Sequence, residues 1–179
     1  MKYGAIDIGT NAARLLIGEV VHDSGRSFVK KISYTRIPLR LGDDVFSLGR
    51  VGVKKKLNLI NTMKAFEIIT DIFEVDNLKA VATSAMREAE NASQIVMDIK
   101  SATGIDLNII SGTEEANVIL GTFMLLDFDK GQPFVVIDVG GGSTEINIFK
   151  KGEKVGSKSF KVGTLRILRG KFDEAVWSE

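Results

Sequence analysis

Two acidic glycine turns decide the fold of this sequence: Asp7-Ile8-Gly9-Thr10-Asn11 and Asp138-Val139-Gly140-Gly141-Gly142-Ser143-Thr144-Glu145. Each turn follows a short apolar run and precedes residues with the alternation of a strand, so each is predicted to join two strands. Glycine leaves backbone amides open to close approach by an anion. A carboxylate beside each turn can hold a hard divalent cation. The pair of turns therefore predicts a site in which a phosphate chain and its metal ion are bound from two sides.

Neither turn is a Walker A loop, because that loop needs a Gly-Lys-Ser/Thr sequence followed by a helix. No Lys follows Gly142, and the segment 144–148 alternates polar and apolar residues as a strand does. An ordinary glycine-rich hairpin remains an alternative for the first turn by itself. It is a weaker alternative for two such turns in one chain.

Outward from the turns, the pattern predicts three opening strands followed by alternating helices and strands. Strands joined through helices pair in parallel, whereas the opening meander is antiparallel, which is a ribonuclease-H-like order. A shorter copy of the meander follows the second turn, which suggests a duplicated domain. We predict a first domain over 1–127 and an incomplete second domain over 128–179. The predicted strands are 3–8, 13–21, 28–39, 79–83 and 107–110, and the predicted helices are 57–73, 91–104, 111–126 and 163–171. Asn91 with Gln94, and Ser111 with Glu114, can form capping boxes at the starts of the second and third of these helices.

Composition narrows the class of protein. The chain has 179 residues, a net charge of +1 and no Cys, so disulfides, thiolate metal sites and Cys nucleophiles are excluded. The near-neutral charge favours neither nucleic acid nor an acidic membrane as a partner. No apolar run approaches the ~20 residues of a membrane span, and the N-terminus lacks a signal peptide's apolar region. We expect a cytoplasmic protein that does not enter membranes.

With these motifs in order, the chain resembles the exopolyphosphatase/guanosine pentaphosphate phosphatase (Ppx/GppA) family of the actin-like superfamily. That resemblance implies an α/β fold of two ribonuclease-H-like domains with mixed sheets and the site between them. It extends over nearly the whole chain. Besides the two turns, the matching motifs are Arg40-Leu-Gly, Ala82-Thr-Ser-Ala-Met-Arg-Glu-Ala-Glu-Asn91 and Ser111-Gly-Thr-Glu-Glu-Ala116.

The resemblance also implies roles for individual residues. Glu115 matches the catalytic base that deprotonates the attacking water, and its neighbour Glu114 is the weaker candidate because it can cap a helix. The implied Mg²⁺ ligands are Asp7, Asp138 and Glu145. The implied phosphate-binding residues are Gly9, Thr10, Asn11, Arg14, Thr83, Ser84, Arg87, Gly140, Gly141, Gly142, Ser143 and Thr144.

The function implied is release of terminal phosphate from polyphosphate or from guanosine pentaphosphate, and the partners implied are polyphosphate or guanosine penta- or tetraphosphate. Two departures leave alternatives open: the family usually has Ser at the positions of Thr10 and Ala12, and its members are longer than this chain. An alarmone-binding regulator with little turnover and an actin-like phosphotransferase therefore stay in view. Pairing with a second copy of the chain is a further expectation, since a short second domain leaves one sheet face uncovered.

Overall fold

A computed structural model describes residues 1–23, 26–123 and 131–170. Its residues group into two compact units, one over Met1–Ile109 and one that begins at Ile110. The predicted boundary at 127/128 lies outside the described residues, so the domain limits 1–127 and 128–179 stay a prediction. No helix in the described ranges is both long enough and apolar enough to cross a membrane.

The first unit is a five-stranded mixed sheet in the order β3-β2-β1-β4-β5. The three opening strands are antiparallel, whereas β4 and β5 pair in parallel. This is the predicted ribonuclease-H-like order. Its strands are β1 (Lys2–Ile8), β2 (Ala12–Asp23), β3 (Arg26–Pro38), β4 (Asn77–Ala82) and β5 (Leu107–Ile109), and its helices are α1 (Leu41–Leu48), α2 (Val53–Ile72), α3 (Ser84–Glu88) and α4 (Ala92–Thr103).

One face of this sheet holds the core. Alternate residues of β1 and β2, such as Ile6, Ile8 and Leu15, point to the same side and are almost fully buried. The apolar stripe of α2, including Met63 and Phe66, packs in the same cluster together with α4. The amphipathic pattern therefore places α2 and α4 on the side of the sheet that its apolar alternation predicts.

The second unit is a three-stranded antiparallel sheet in the order β6-β7-β8. One of its faces buries Phe149 and Val136 and is packed by α5. The opposite face exposes Val135, Ile137, Val139 and Ile148. This agrees with the expectation of an uncovered sheet face. The elements are α5 (Gly112–Phe123), β6 (Phe134–Val139), β7 (Thr144–Lys150), β8 (Glu153–Phe160) and α6 (Thr164–Leu168).

Helix ends are where the sequence prediction was least accurate. Asn91 was predicted to form a capping box with Gln94, and this is wrong: Asn91 bonds the backbone of Val51, and Gln94 bonds Asp98. A tertiary partner 40 residues away outcompeted the local cap. The capping box of Ser111 with Glu114 is confirmed by reciprocal hydrogen bonds of 2.8 and 3.2 Å.

Two short helices were not predicted at all. Helices α1 and α3 have 8 and 5 residues, too few to show a clear apolar period. Helix α2 begins at Val53, four residues before the predicted start. Outside the described residues lie the last part of the predicted helix 111–126 and the end of the predicted helix 163–171.

Candidate functional site

The first turn closes the hairpin between β1 and β2. Gly9 donates its amide to the carbonyl of Ala12 at 3.0 Å, which makes the turn tight. Behind it, the carbonyls of Thr10 and Asn11 accept bonds from the amides of Gly42 and Arg40 at the start of α1. Two backbone carbonyls of the first turn are thus held by the chain that enters α1.

The predicted Thr83–Ser84 segment lies beside this turn. Because β1 and β4 are parallel neighbours, their carboxyl ends meet at one edge of the sheet, and Thr83 donates its amide to the carbonyl of Ile8 at 3.1 Å. Crevices at the carboxyl ends of parallel strands are the usual ligand sites of such sheets. Arg87 follows one turn later on α3 and is half-buried. The structure therefore brings Thr83, Ser84 and Arg87 to the edge that carries Gly9, Thr10 and Asn11.

Ser84 carries a buried hydroxyl without a partner. Its Oγ is the one buried side-chain oxygen or nitrogen in the described part of the chain that makes no hydrogen bond. An unsatisfied buried hydroxyl costs ~1–3 kcal/mol, so native proteins rarely keep one without a reason. An oxygen of a bound phosphate would satisfy it.

Asp7 and Arg14 face each other across β1 and β2 and form an ion pair. The Nη1 of Arg14 lies 2.6 Å from Oδ2 of Asp7. Burial acts to lower the pKa of Arg14, but the hydrogen bond and charge of Asp7 outweigh it, with help from Tyr34, so the pKa is raised. Asp7 was predicted to bind metal and Arg14 to bind phosphate. In this structure the two side chains form an ion pair with each other. The metal-binding role of Asp7 and the phosphate-binding role of Arg14 stay predictions.

The second turn is closed by the same backbone hydrogen bond as the first. Gly140 donates its amide to the carbonyl of Ser143 at 2.9 Å. Asp138 then stands directly opposite Glu145 on β7, at the positions that Asp7 and Arg14 occupy in the first unit. Side chains directly opposite each other on one face have Cβ atoms ~5 Å apart. The structure therefore places two predicted metal ligands, Asp138 and Glu145, side by side.

Glu145 is a buried carboxylate, only 3% exposed. Its Oε1 accepts a hydrogen bond from Ser159 Oγ at 3.0 Å, and within the described ranges no cation forms an ion pair with it. A buried carboxylate is normally paired or bound to a metal. Two hard oxygen ligands in this position fit Mg²⁺, although no group of three or more His, Cys, Asp or Glu side chains is assembled among the described residues.

Helix α5 brings the predicted base to this face. Its first residue, Gly112, lies against Ser159, the residue that bonds Glu145, since a Cβ built on Gly112 would be 3.7 Å from Ser159 Oγ. Glu114 is exposed and its carboxylate bonds Ser111, so it serves the cap. Glu115, the next residue, is half-buried. Because Glu114 is held in the helix cap, Glu115 is the better candidate for the predicted catalytic base.

One group near the second turn was missed from the sequence. Arg166 on α6 is 9% exposed, and its Nε donates to the carbonyl of Gly142 at 2.6 Å. Thr144 Oγ1, predicted to bind phosphate, instead donates to the carbonyl of Val162 at 2.6 Å. Its role as a phosphate ligand stays a prediction, and what the structure adds is a contact to the segment before α6.

Comparison with known proteins places this arrangement in context. The profile of the Ppx/GppA phosphatase family matches residues 20–179. A bifunctional 3-dehydroquinate synthase/phosphatase of Fusobacterium nucleatum is 32% identical over 91% of this chain and 25% of its own length. Exopolyphosphatase 1 of Mycobacterium tuberculosis is 29% identical over 94% of this chain and 48% of its own length.

Two further similarities concern the alternative substrate and the fold. Guanosine-5'-triphosphate,3'-diphosphate pyrophosphatase of Aeromonas hydrophila is 29% identical over 99% of this chain and 35% of its own length. The crystal structure of an exopolyphosphatase from Cytophaga hutchinsonii superposes with a TM-score of 0.84 at 28% identity, covering 95% of this chain and 53% of that one. The chain thus spans about half or less of the length of these relatives, and the predicted fold class is confirmed.

Proposed function

Because the chain belongs to the Ppx/GppA phosphatase family, we propose that it forms part of a phosphohydrolase that removes terminal phosphate from a phosphoanhydride chain. The single observation that carries the proposal is the second turn. A tight glycine loop there adjoins two carboxylates that face each other, and among the described residues no cation is paired with the buried one. Such a place suits a polyanion that arrives with a divalent metal.

Phosphoryl transfer to water requires little covalent participation by the protein. Water attacks the terminal phosphorus, the bridging P–O bond breaks, and its electron pair leaves with the shortened chain, so catalysis depends on positioning and charge. Glu115 accepts the proton of the attacking water. Backbone amides of the loop and the guanidinium of Arg87 bind the phosphoryl oxygens. Ser84 would direct its unpartnered hydroxyl to a phosphate oxygen.

Asp138 and Glu145 would hold Mg²⁺. When bound, the ion would neutralise non-bridging phosphate oxygens and lower the charge repulsion that keeps water away. The fit rests on the two facing carboxylates and on the absence of a described cation beside Glu145. We further propose a cytoplasmic location for the protein.

For the substrate we propose inorganic polyphosphate first and guanosine pentaphosphate second. Relatives of both names align over more than nine-tenths of this chain. A regulator that binds the guanosine nucleotide with little turnover is the second candidate. It is favoured by one observation, Ala12, which lacks the hydroxyl of the Ser that the family usually has at this position.

The deciding experiment compares phosphate release from polyphosphate and from guanosine pentaphosphate, with and without Mg²⁺. Release that needs Mg²⁺ and no acceptor supports the proposal. Tight guanosine-nucleotide binding without release supports the regulator. Release only when a nucleoside diphosphate is present as acceptor supports a phosphotransferase. Neither binding nor release, on a chain with a cooperative thermal transition, would contradict the first two candidates together.

A further inference from the structure

The back of the second turn is covered by the chain that enters α6. The amide of Thr164 donates to the carbonyl of Gly140 at 3.0 Å, and the amide of Leu165 donates to the carbonyl of Gly141 at 2.9 Å. The carbonyl of Gly142 is taken by the Nε of Arg166 at 2.6 Å. Three consecutive carbonyls of the turn are therefore all directed to α6.

This arrangement determines where the amides point. In a trans peptide the C=O and the following N–H point in opposite directions. Carbonyls of residues 140, 141 and 142 that face α6 thus turn the amides of Gly141, Gly142 and Ser143 away from it. None of these three amides donates a hydrogen bond to another described residue. Successive amides on one side of a turn form a concave site for an anion.

Arg166 contributes more than a hydrogen bond. Its side chain is almost fully buried, and burying a guanidinium without a reason is costly. Its positive charge lies at the carbonyl end of the Gly142–Ser143 peptide, where it polarises that peptide and makes the opposite amide a stronger donor. A charge-assisted bond is also about twice as strong as a neutral one. Arg166 therefore supports the side of the loop that would face the anion.

Gly163 makes the close approach possible. A Cβ at this position would lie 2.5 Å from the carbonyl carbon and oxygen of Gly141 and 2.6 Å from the nitrogen of Gly142. Its φ of -145° is extended backbone, which any residue adopts. The position thus requires glycine because of space and not because of conformation.

The first turn supports the same interpretation independently. There the carbonyl of Asn11, at the position equivalent to Gly142, is also held from behind, by the backbone amide of Arg40 at 2.8 Å. Both turns keep this carbonyl occupied by the chain entering the next helix. In the second turn, the hydrogen bond to this carbonyl comes from a side chain, that of Arg166.

We infer that Arg166 is a positioning residue that, together with Gly163, orients the amides of 141–143 for a phosphate of the substrate. The inference rests on the proposed function in naming the anion as a phosphate. Arg166 itself acts through the carbonyl of Gly142 and is not assigned a contact with the substrate.

The test follows the amide resonances of Gly141, Gly142 and Ser143 by NMR while the Met1–Glu179 chain is titrated with tripolyphosphate. In the unsubstituted chain these three resonances should shift. Arg166→Met should weaken binding about tenfold or more and reduce those shifts, as expected from loss of a charge-assisted bond. Arg166→Lys, which keeps a cationic donor, should fall between the two. Arg169→Met is the matched control and should stay within about twofold of the unsubstituted chain.

Gly163→Ala tests the same idea without removing a charge, with Gly121→Ala as its control. A Cβ at Gly121 meets nothing within 4 Å, so only Gly163→Ala should weaken binding. If circular dichroism shows that Arg166→Met does not fold, the comparison of Gly163→Ala with Gly121→Ala decides the question. Wild-type affinity and wild-type loop shifts in Arg166→Met or in Gly163→Ala would overturn the inference, as would binding that leaves the loop amides unmoved.

Failure of this inference is distinguishable from failure of the proposed function. Loop amides that respond to tripolyphosphate and depend on Arg166, in a chain that releases no phosphate, uphold the inference and contradict hydrolysis by this chain. Mg²⁺-dependent release by Arg166→Met with unchanged KM and kcat upholds the function and overturns the inference.

Discussion

The two turns share a backbone and differ in charge. In each, a glycine amide closes the turn onto a carbonyl three residues later, at 3.0 Å in the first and 2.9 Å in the second. In each, an Asp precedes the turn and is paired across the hairpin with a residue of the following strand. That facing residue is Arg14 in the first unit and Glu145 in the second. One position thus carries opposite charges in the two copies.

This difference separates the two turns chemically. Asp7 is paired with Arg14 at 2.6 Å, so its negative charge is balanced by a cation within the protein. Asp138 faces another carboxylate, and like charges directly opposite each other are destabilising. A divalent cation between Asp138 and Glu145, as proposed above, would relieve this repulsion. The two hairpins thus differ in the charge of one cross-strand position, and the predictions below test that difference.

The largest effect is expected at Glu115. Glu115→Gln cannot accept the proton of water, so phosphate release should fall about 10²–10⁴-fold. Glu114→Gln is the matched control and should keep activity within a few-fold, since Gln can still accept the bonds of the cap. Initial rates with Mg²⁺ and the thermal midpoint of each variant are the measurements. Equal losses in both variants, or a loss only in Glu114→Gln, would reverse the assignment.

The next effect separates the two acidic residues before the turns. Asp138→Asn should raise the Mg²⁺ concentration needed for half-maximal activity about 10- to 100-fold, the size of loss seen when a metal site is perturbed. Asp7→Asn should leave that concentration nearly unchanged, because Arg14 already pairs with Asp7. Mg²⁺ titrations of both variants give the answer. A shift of equal size in Asp7→Asn would restore Asp7 as a metal ligand and remove the distinction between the turns.

The packing behind the first turn should be sensitive to volume. A Cβ on Gly42 would lie 2.3 Å from Thr10 Cγ2 and 2.9 Å from the ring of Phe46. Gly42→Ala should therefore lower the free energy of unfolding by ~1–3 kcal/mol, although Ala normally favours a helix. Urea unfolding of this variant beside Gly121→Ala measures the difference. A stabilised Gly42→Ala would show that α1 moves away from the turn at little cost.

The stability of a Glu145 variant should show whether the second turn binds a cation. Glu145→Gln keeps the acceptor for Ser159 but removes a buried charge, so it should raise the free energy of unfolding without metal by ~1–2 kcal/mol. It should also abolish the stabilisation that Mg²⁺ confers on the unsubstituted chain. Thermal melts with Mg²⁺ and with a chelator test both parts. A variant less stable than the parent in chelator would mean that the carboxylate is satisfied within the protein.

The smallest effect is expected at Ser84. Its buried hydroxyl has no described partner, so Ser84→Ala should change the free energy of unfolding by less than ~1 kcal/mol, and in the stabilising direction. Affinity for tripolyphosphate should nevertheless fall. Calorimetric titration beside a urea melt separates the two effects. A destabilised Ser84→Ala with unchanged affinity would assign the hydroxyl to the fold.

The long elements were predictable because they carry their own periodicity. The antiparallel opening, the helix over 57–73 and the cap at Ser111 all followed from patterns within one segment. Helices α1 and α3 were not predicted, since 8 and 5 residues are too few for a period. The cap at Asn91 failed because its side chain binds Val51, a contact made only when the chain is folded.

For the site, the sequence alone supplied the residues predicted to carry the chemistry: the two glycine turns, their carboxylates, Ser84 and the Glu114–Glu115 pair. Tertiary structure decided which of them lie next to each other. Cross-strand register paired Asp7 with Arg14 and Asp138 with Glu145, and the helix cap engaged the carboxylate of Glu114. Arg166 could not have been found beforehand, because its role comes from a carbonyl 24 residues away that only folding brings within 2.6 Å. Local patterns depend only on neighbouring residues, whereas pairing between strands and helices depends on the register and packing of the folded chain.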